Sequence, residues 1–183
     1  MDEDRWEHVY ASSAHEDVPP SAELLRSYAH LLSGGTALDI AMGVGQNAVF
    51  LASLGYTVTG VDTSAAAVHR AQQHARESNV RLCGVIGDIR AFTIPEYSYN
   101  VIVNFYFLER AVFQKIHRGL KKNGLLFFET YTIDQKRFGR PHNPDFLLQP
   151  NELLTAFNDL FVLYYHERIE QTRAVASLIA RKL

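Results

Sequence analysis

The sequence predicts an α/β protein with a doubly wound, mostly parallel sheet that ends in a C-terminal antiparallel hairpin. From residue 36 to residue 129, short apolar strand patterns alternate with helical patterns, which favours parallel strands joined by helical crossovers. Near the end of the chain, Phe161–Ile169 and Ala174–Arg181 both have strand patterns, and only residues 170–173 separate them. Such a short connection cannot hold a helix, so we expect these two strands to be antiparallel.

The predicted parallel strands follow runs of apolar and β-branched residues. The run at residues 100–105 is almost continuously apolar, which is typical of a strand that is buried on both faces of its sheet. The predicted strands before the hairpin cover residues 36–40, 56–61, 80–86, 100–105 and 125–129.

Capping residues and charges give the helix boundaries. Ser21 follows two prolines and can cap a helix over residues 21–32, which a pair of glycines ends. Lys121 and Lys122 suit the last turn of a later helix, because cations stabilise the negative end of the helix dipole. The other predicted helices cover residues 45–54, 64–77, 109–120 and 150–158.

Length and composition predict one globular domain. With 183 residues, the chain can bury a substantial core but is short for two domains. We expect a single domain over residues 1–183, with an N-terminal cap at residues 1–35 and a candidate lid insert at residues 131–150. A long insert of this kind is often functional.

Charge and cysteine content limit the partners and the compartment. The net charge of −2 gives no bias toward nucleic acid or an anionic membrane, and no apolar run approaches the roughly 20 residues of a membrane span. The first residues are acidic and polar, unlike a signal peptide. The single cysteine, Cys83, excludes an internal disulfide, and its strand pattern predicts a buried position. We therefore expect a cytoplasmic protein, whose oligomeric state the sequence does not give.

The most informative segment covers residues 37–62. An apolar strand, a loop of small residues, a helical pattern and a second strand follow one another, which is the layout of a nucleoside-binding βαβ unit. Asp39 lies near the end of the first strand, and Asp62 ends the second. A carboxylate in the position of Asp62 can accept hydrogen bonds from both hydroxyls of a ribose.

Two classes of cofactor fit such a unit. Gly43, Gly45 and Ala48 match the dinucleotide pattern G-x-G-x-x-A, which allows an NAD-binding oxidoreductase-like domain. Asp39 argues against this class, because a carboxylate so close to the loop would repel a diphosphate. S-adenosylmethionine fits better, since it has a cationic sulfonium, a free ammonium and no phosphate.

The segment DIAMGVG at residues 39–45 resembles the first motif, D/E-x-G-x-G-x-G, of the class I S-adenosylmethionine-dependent methyltransferases, with Ala41 in place of the first glycine. The resemblance implies a Rossmann-like methyltransferase sheet and S-adenosylmethionine as cofactor. It also implies that this loop holds the methionine part, that Asp62 holds the ribose and that Asp88 faces the adenine amino group. The residues expected to bind the cofactor are Asp39, Ala41, Gly43, Gly45, Asn47, Asp62, Thr63, Asp88, Ile89 and Asn104.

The methyl acceptor is expected beside the fourth and fifth strands. Aromatic residues follow both strands, and the candidate lid carries several basic residues that can hold an anion or the cofactor carboxylate. In this fold the N-terminal segment often covers the cofactor. The residues expected near the acceptor are Trp6, Tyr10, Tyr106, Tyr131, Arg137 and Arg140.

No catalytic side chain and no metal site are predicted. Methyl transfer from a sulfonium is an in-line displacement with a neutral thioether as leaving group, so positioning can suffice. The histidines are scattered, and no metal-ligand spacing occurs.

Within this family, the small size, the NFYFL segment and the ending AVASLIARKL look like the tellurite-resistance-type branch. That branch implies a small-molecule acceptor, such as a thiol or a chalcogen oxyanion. The net charge and the lack of a long apolar run lead us to expect no nucleic-acid or membrane partner. An NAD-binding domain and a non-catalytic S-adenosylmethionine-binding module remain as alternatives.

Overall fold

The structure is a computed structural model that describes residues 3–12 and 17–183. The strands are β1 (Gly35–Ile40), β2 (Tyr56–Asp62), β3 (Leu82–Ile86), β4 (Tyr99–Phe105), β5 (Leu120–Tyr131), β6 (Phe161–Ile169) and β7 (Ala174–Arg181). Within the described residues they form one seven-stranded sheet in the order β3-β2-β1-β4-β5-β7-β6.

Helices flank the sheet and lie in the segments that connect its strands. The α-helices are α1 (Glu3–Ser12), α2 (Glu23–Ser27), α3 (Gln46–Ser53), α4 (Ala65–Glu77), α5 (Phe113–Gly119) and α6 (Glu152–Ala156). Short 3₁₀ turns occur at Ala29–Leu31, Arg110–Val112, Ile133–Arg137 and Pro144–Phe146.

The pairing of the strands confirms the predicted fold class. The five strands β1 to β5 are parallel to one another, whereas β7 is antiparallel to both β5 and β6. The parallel strands therefore end at the same edge of the sheet, where ligands of open α/β sheets bind.

The core lies on both faces of the sheet because successive strand residues point to opposite faces. Leu38, Ile102 and Phe128 belong to the cluster on one face, together with Phe157 from the segment that follows α6. Neighbouring strand residues such as Val101 belong to the cluster on the other face, which α2 and α3 cover. Burial on both faces explains why these strands read as almost continuous apolar runs.

The predicted helix over residues 21–32 is shorter than expected. The chain forms only α2 and the 3₁₀ turn Ala29–Leu31, and Ser21 is not its cap. Ala22 precedes the helix, and its N–H donates to Asn47 Oδ1 at 2.8 Å. This hydrogen bond ties the start of α2 to α3.

Two further expectations are wrong. Lys121 and Lys122 lie in the first part of β5 and not in a helical turn. The register of the β4–β5 pairing shifts between Tyr99 and Val101, which accommodates these extra residues of β5. Lys121 Nζ donates to Asn100 Oδ1 at 3.1 Å. Cys83 is exposed, since β3 is an edge strand of the sheet.

The segment at residues 131–150 folds back onto the sheet. The Leu148 N–H donates to the Tyr131 carbonyl at 2.9 Å, and the Ile133 N–H donates to the Leu148 carbonyl at 2.9 Å. Both ends of the segment are therefore fixed beside the end of β5. Its role as a lid stays a prediction, as does the division of the chain at residue 35.

None of the helices in the described part of the chain has the length and apolar character needed to span a membrane.

Candidate functional site

A cavity of about 960 Å³ opens at the edge where the parallel strands end. This volume lies at the upper end of the usual range for small-molecule sites. The loops after β1, β2, β3 and β4, the end of β5, the segment at residues 140–146, α1 and the β6–β7 turn all contribute lining residues. The cavity therefore joins the predicted cofactor edge to the predicted acceptor region.

The loop after β1 forms one wall of this cavity. Ala41 and Gly43 line it, with φ angles of +53° and +56° respectively. The positive φ at Gly43 favours glycine, and a Cβ there would lie 2.8 Å from the hydroxyl oxygen of Tyr10, which would have to shift. Gly45 does not line the cavity: a Cβ there would lie 2.6 Å from Cβ of Ala71, so its role is to let α3 approach α4.

Asp62 fixes the position of that loop. Its Oδ2 accepts the Gly43 N–H at 2.8 Å, and its Oδ1 accepts the Ser64 N–H at 3.0 Å. Burial raises the pKa of this carboxyl, while the N–H donors oppose the shift. A carboxylate offers about four lone-pair positions, so Asp62 can still accept hydrogen bonds from ligand hydroxyls. Ser64, and not Asp62, caps α4 by accepting the Ala67 N–H at 3.1 Å.

Asp39 does not line the cavity, contrary to expectation. It lies inside β1, is only 1% exposed, and its Oδ2 has no hydrogen-bond partner among the described residues. Burial, and secondly the charge of Asp62, raises the pKa of the Asp39 carboxyl to about 8. Asp39 is therefore mostly protonated at neutral pH, and any effect it has on a ligand is exerted from beneath the loop.

Asp88 lines the cavity after β3 and is held by Arg90. Its Oδ1 accepts the Arg90 N–H at 2.8 Å, and its Oδ2 accepts from Arg90 Nε at 2.7 Å. The hydrogen bond from the Arg90 side chain lowers the pKa of the Asp88 carboxyl, which is thus ionised at neutral pH. Ile89 is 4% exposed and also lines the cavity.

Asn104 supports the loop after β4 from below. It is fully buried, and its Nδ2 donates to the Phe107 carbonyl at 2.8 Å. Asn104 does not line the cavity, because this hydrogen bond holds its side chain against the loop; the loop residues Phe105, Tyr106 and Phe107 line the cavity instead.

Tyr106 stands at the centre of a polar cluster at the acceptor end. Its hydroxyl donates to Glu129 Oε1 at 3.0 Å and accepts from Arg173 Nη1 at 2.6 Å. Glu129 Oε2 accepts from Arg168 Nη2 at 3.0 Å and from Ser177 Oγ at 2.5 Å. The ends of β4 and β5 and the β6–β7 hairpin are thereby joined at one point.

The N-terminal helix α1 covers the other side of the cavity. Trp6 and Tyr10 line it and stack on each other, with their ring centroids 5.8 Å apart. Glu7 Oε2 accepts from Ser64 Oγ at 2.6 Å and from the Ala66 N–H at 3.2 Å, which ties α1 to the start of α4. Burial raises the pKa of Tyr10 to about 12, so its phenol stays neutral.

Most of the predicted site residues meet at this cavity. The lining residues among them are Ala41, Gly43, Asn47, Asp62, Thr63, Asp88, Ile89, Trp6, Tyr10, Tyr106, Tyr131 and Arg140. The others lie away from it: Asp39 and Asn104 are buried beneath the loops, Gly45 packs against α4, and Arg137 pairs with Asp134 at 3.1 Å outside the cavity.

Sequence reasoning placed Glu129 beside the expected acceptor but gave it no role, and it missed Arg173. Glu129 interrupts the apolar run of β5, and a buried acid at a strand end was the available signal. Arg173 lies in the short turn between β6 and β7, and no local pattern indicates that it reaches Tyr106. Gln46 was also missed; it lines the cavity, and its buried Oε1 has no partner among the described residues.

Known proteins with similar sequences include methyltransferases. Residues 37–124 match a family described as a methyltransferase domain. The chain is 27% identical over 176 residues to the probable S-adenosyl-L-methionine-dependent methyltransferase TehB of Haemophilus influenzae, covering 91% of this chain and 58% of that protein. It is 28% identical over 131 residues to a ubiquinone biosynthesis O-methyltransferase of Histophilus somni, covering 63% of this chain and 53% of that protein.

The crystal structure of TehB from Haemophilus influenzae has the same fold. It superposes with a TM-score of 0.77 at 22% identity, covering 97% of this chain and 67% of that one. These matches confirm the predicted resemblance to the S-adenosylmethionine-dependent methyltransferases of the TehB type. The chain spans little more than half the length of the two curated relatives.

Proposed function

We propose that this chain, in which residues 37–124 match a methyltransferase domain, is an S-adenosylmethionine-dependent methyltransferase that acts on a small molecule. Bound S-adenosylmethionine would supply the methyl group from its cationic sulfonium. The remainder of the cofactor would leave as a neutral thioether. The chain's own contribution is to hold the acceptor in line with that methyl group and to exclude water.

The hydrogen bond between the Gly43 N–H and Asp62 Oδ2 carries this proposal. In a dinucleotide-binding loop such an N–H faces a pyrophosphate, but here it is satisfied by a carboxylate at 2.8 Å. A diphosphate placed there would meet the negative charge of Asp62, whereas a ribose would find a hydrogen-bond acceptor. The residues thus favour S-adenosylmethionine over NAD.

The remaining lining residues also fit S-adenosylmethionine. Gln46 Oε1 is a buried acceptor without a partner among the described residues, which suits a donor such as the ligand's ammonium. Asp88 and Ile89 lie on the cavity wall where an adenine amino group and ring would be held. Arg140 lines the cavity and makes no ion pair within the described part of the chain, so it can pair with the cofactor carboxylate.

Thermal unfolding with S-adenosylhomocysteine and with NAD tests the cofactor. S-adenosylhomocysteine should raise the melting temperature, since a ligand at 100 times its Kd adds about 2.7 kcal/mol of stability, and NAD should not. Asp62→Asn should weaken S-adenosylhomocysteine binding about 10-fold or more, because hydrogen bonds to a charged group are lost. Asp159→Asn, at an exposed position far from the cavity, is the matched control. Stabilisation by NAD alone would contradict the proposal.

Transfer of a labelled methyl group to a panel of acceptors tests the activity. The similarity to TehB supports a thiol or a chalcogen oxyanion, and the similarity to an O-methyltransferase supports an oxygen acceptor. The panel therefore contains thiols, selenite, tellurite and phenols. Binding of S-adenosylhomocysteine without transfer to any acceptor would favour a non-catalytic binding module.

A further inference from the structure

We propose that the acceptor is a phenol, that Tyr106 is the catalytic residue which takes its hydroxyl proton, and that Glu129 receives that proton through Tyr106. This inference rests on the proposed function and names the acceptor class for the same cavity.

The backbone at Tyr106 is held in an uncommon conformation that presents its side chain to the cavity. Its φ angle is +56°, in the left-handed region that residues other than glycine rarely adopt. The Tyr106 N–H donates to the Glu129 carbonyl at 2.8 Å, which fixes this turn to the end of β5. Strain of this kind persists only where the surroundings enforce it, and it is frequent at functional sites.

The Tyr106 hydroxyl has one free position for an acceptor. A phenolic oxygen donates one hydrogen bond and can accept two. The donated bond goes to Glu129 Oε1, and one accepted bond comes from Arg173 Nη1. An acceptor hydroxyl can therefore donate to the second lone pair. Burial and the nearby charge of Glu129 raise the pKa of Tyr106, so it keeps its own proton until another arrives.

Glu129 is placed to receive the proton behind Tyr106. It lines the cavity although it is only 3% exposed, and its Oε1 makes a hydrogen bond to Tyr106 alone. Arg168 and Ser177 hold the other oxygen. The carboxylate is thus fixed in one orientation, with a single oxygen directed to the acceptor side.

The charges of the cluster favour a neutral acceptor over an oxyanion. Arg173 Nε contacts Glu170 Oε2 at 2.6 Å, and Arg168 contacts both Glu170 and Glu129. Two arginines and two glutamates balance each other, so the cluster offers no net positive charge for selenite or tellurite. A phenol needs no counterion, but it does need an acceptor for its proton.

Aromatic side chains surround this end of the cavity. The rings of Tyr106 and Tyr131 have their centroids 5.2 Å apart, and Phe105, Phe107 and Phe146 also line the space. Flat apolar walls with one polar point suit an aromatic ring that carries a hydroxyl.

The proton and electron balance of the step is complete. The acceptor oxygen forms a bond to the methyl carbon while the carbon–sulfur bond breaks, and that electron pair returns to sulfur. The phenolic proton passes to the Tyr106 oxygen as the Tyr106 proton passes to Glu129 Oε1. Glu129 later releases its proton to water, which restores the starting state.

Binding of a matched pair of probes tests the Tyr106 contact without turnover. Phenol can donate a hydrogen bond from its hydroxyl, whereas anisole carries a methyl group on that oxygen and cannot. Both are titrated into the protein saturated with S-adenosylhomocysteine. The wild type should bind phenol about 2- to 10-fold more tightly, the value of one hydrogen bond. Tyr106→Phe should remove this preference, whereas Glu129→Gln should keep most of it.

Initial rates with phenol, catechol and 4-nitrophenol test the proton transfer. Both variants should lower kcat by about 10²- to 10⁴-fold, the usual contribution of a general base. The loss should be smallest for 4-nitrophenol, because it is partly ionised already. Glu129→Gln should leave the KM for the acceptor within about 3-fold, since it removes the proton acceptor and not the binding contact.

Matched controls separate these effects from changes in folding. Tyr97→Phe and Glu96→Gln change the same residue types at exposed positions outside the cavity and should behave as the wild type. If Glu129→Gln does not fold, Tyr106→Phe alone still tests both the probe preference and the rate. Transfer to selenite or thiols but to no phenol would overturn the acceptor class and leave the methyltransferase intact. Wild-type rates on phenols in both variants would overturn the residue roles, whereas failure to bind S-adenosylhomocysteine would instead overturn the proposed function.

Discussion

The side chain of Asp39, a residue of the predicted cofactor-binding motif, does not have its expected position. The motif suggested a carboxylate facing a ligand, but Asp39 is buried beneath the loop with an unpartnered Oδ2. Because burial and Asp62 raise its pKa to about 8, Asp39 is protonated in the folded protein at pH values where it is ionised in the unfolded chain. Folding is therefore linked to a proton at this position.

The raised pKa of Asp39 predicts a pH dependence of stability. Between pH values of about 4 and 8 the folded state holds a proton that the unfolded state has lost, so stability should fall as pH rises, by at most about 1.4 kcal/mol per pH unit. Asp39→Asn should flatten this slope, although Asp62, whose pKa is also raised, will retain part of it. Urea unfolding without cofactor, measured over roughly pH 4.5 to 8.5, checks the difference.

The exposed variant Glu96→Gln should keep the slope of the wild type. An Asp39→Asn slope equal to that of the wild type would show that Asp39 is ionised in the folded state.

At the scale of elements, α1 depends on a contact that no local pattern reveals. Its Glu7 reaches Ser64 and the Ala66 N–H at the start of α4, and this contact places Trp6 and Tyr10 on the cavity. The hydrogen bonds to Ser64 and Ala66 lower the pKa of the Glu7 carboxyl, so it is ionised at neutral pH. The helix therefore gains its position from long-range hydrogen bonds and not from a continuous apolar stripe.

Loss of this contact should loosen α1 and weaken ligand binding. Glu7→Ala should increase hydrogen exchange in residues 3–12 and reduce affinity for S-adenosylhomocysteine about 2- to 10-fold, since two part-buried hydrogen bonds are lost. Calorimetry and exchange mass spectrometry measure both effects. Glu77→Ala, at the opposite end of α4, should change neither. Unchanged exchange in Glu7→Ala would mean that other contacts hold the helix.

The strands were easier to predict than the helix ends, for a physical reason. Burial on both faces of a parallel sheet gives each strand an unbroken apolar run, and the hairpin strands Phe161–Ile169 and Ala174–Arg181 have the predicted bounds. The helix over residues 21–32 was overestimated: α2 ends at Ser27, and the chain continues as the 3₁₀ turn Ala29–Leu31. The acceptor wall was only half predicted, because Tyr106, Glu129 and Arg173 meet through the fold and not through any spacing along the chain.

Across the protein, the aromatic core cluster that stabilises the fold lies apart from the cavity. Phe157 is 1% exposed, and its ring lies 5.2 Å from that of Phe113 and 5.9 Å from that of Phe128. None of these rings lines the cavity. The aromatic cluster therefore packs against one face of the sheet and contributes no ring to the cavity at the sheet edge.

Truncation of this cluster should lower stability without changing ligand affinity. Phe157→Ala should reduce the free energy of unfolding by about 3–5 kcal/mol, the usual cost of removing a buried phenyl ring. Phe161→Ala, where the side chain is 54% exposed, should change it by no more than about 0.5 kcal/mol. Denaturant unfolding and S-adenosylhomocysteine titration give both values. A lost affinity in folded Phe157→Ala would show that core and site are coupled.

The order of the lining residues along the chain bears on the choice of acceptor. Asp62 and Asp88 fall within residues 37–124, which match the methyltransferase domain family, whereas Glu129 and Arg173 follow that segment. Substitutions at Glu129 and Arg173 can therefore change the acceptor end of the cavity while Asp62 and Asp88 stay unaltered. A recombinant that keeps Tyr106 and receives residues 125–183 from a related protein would show whether the later stretch changes the choice of acceptor.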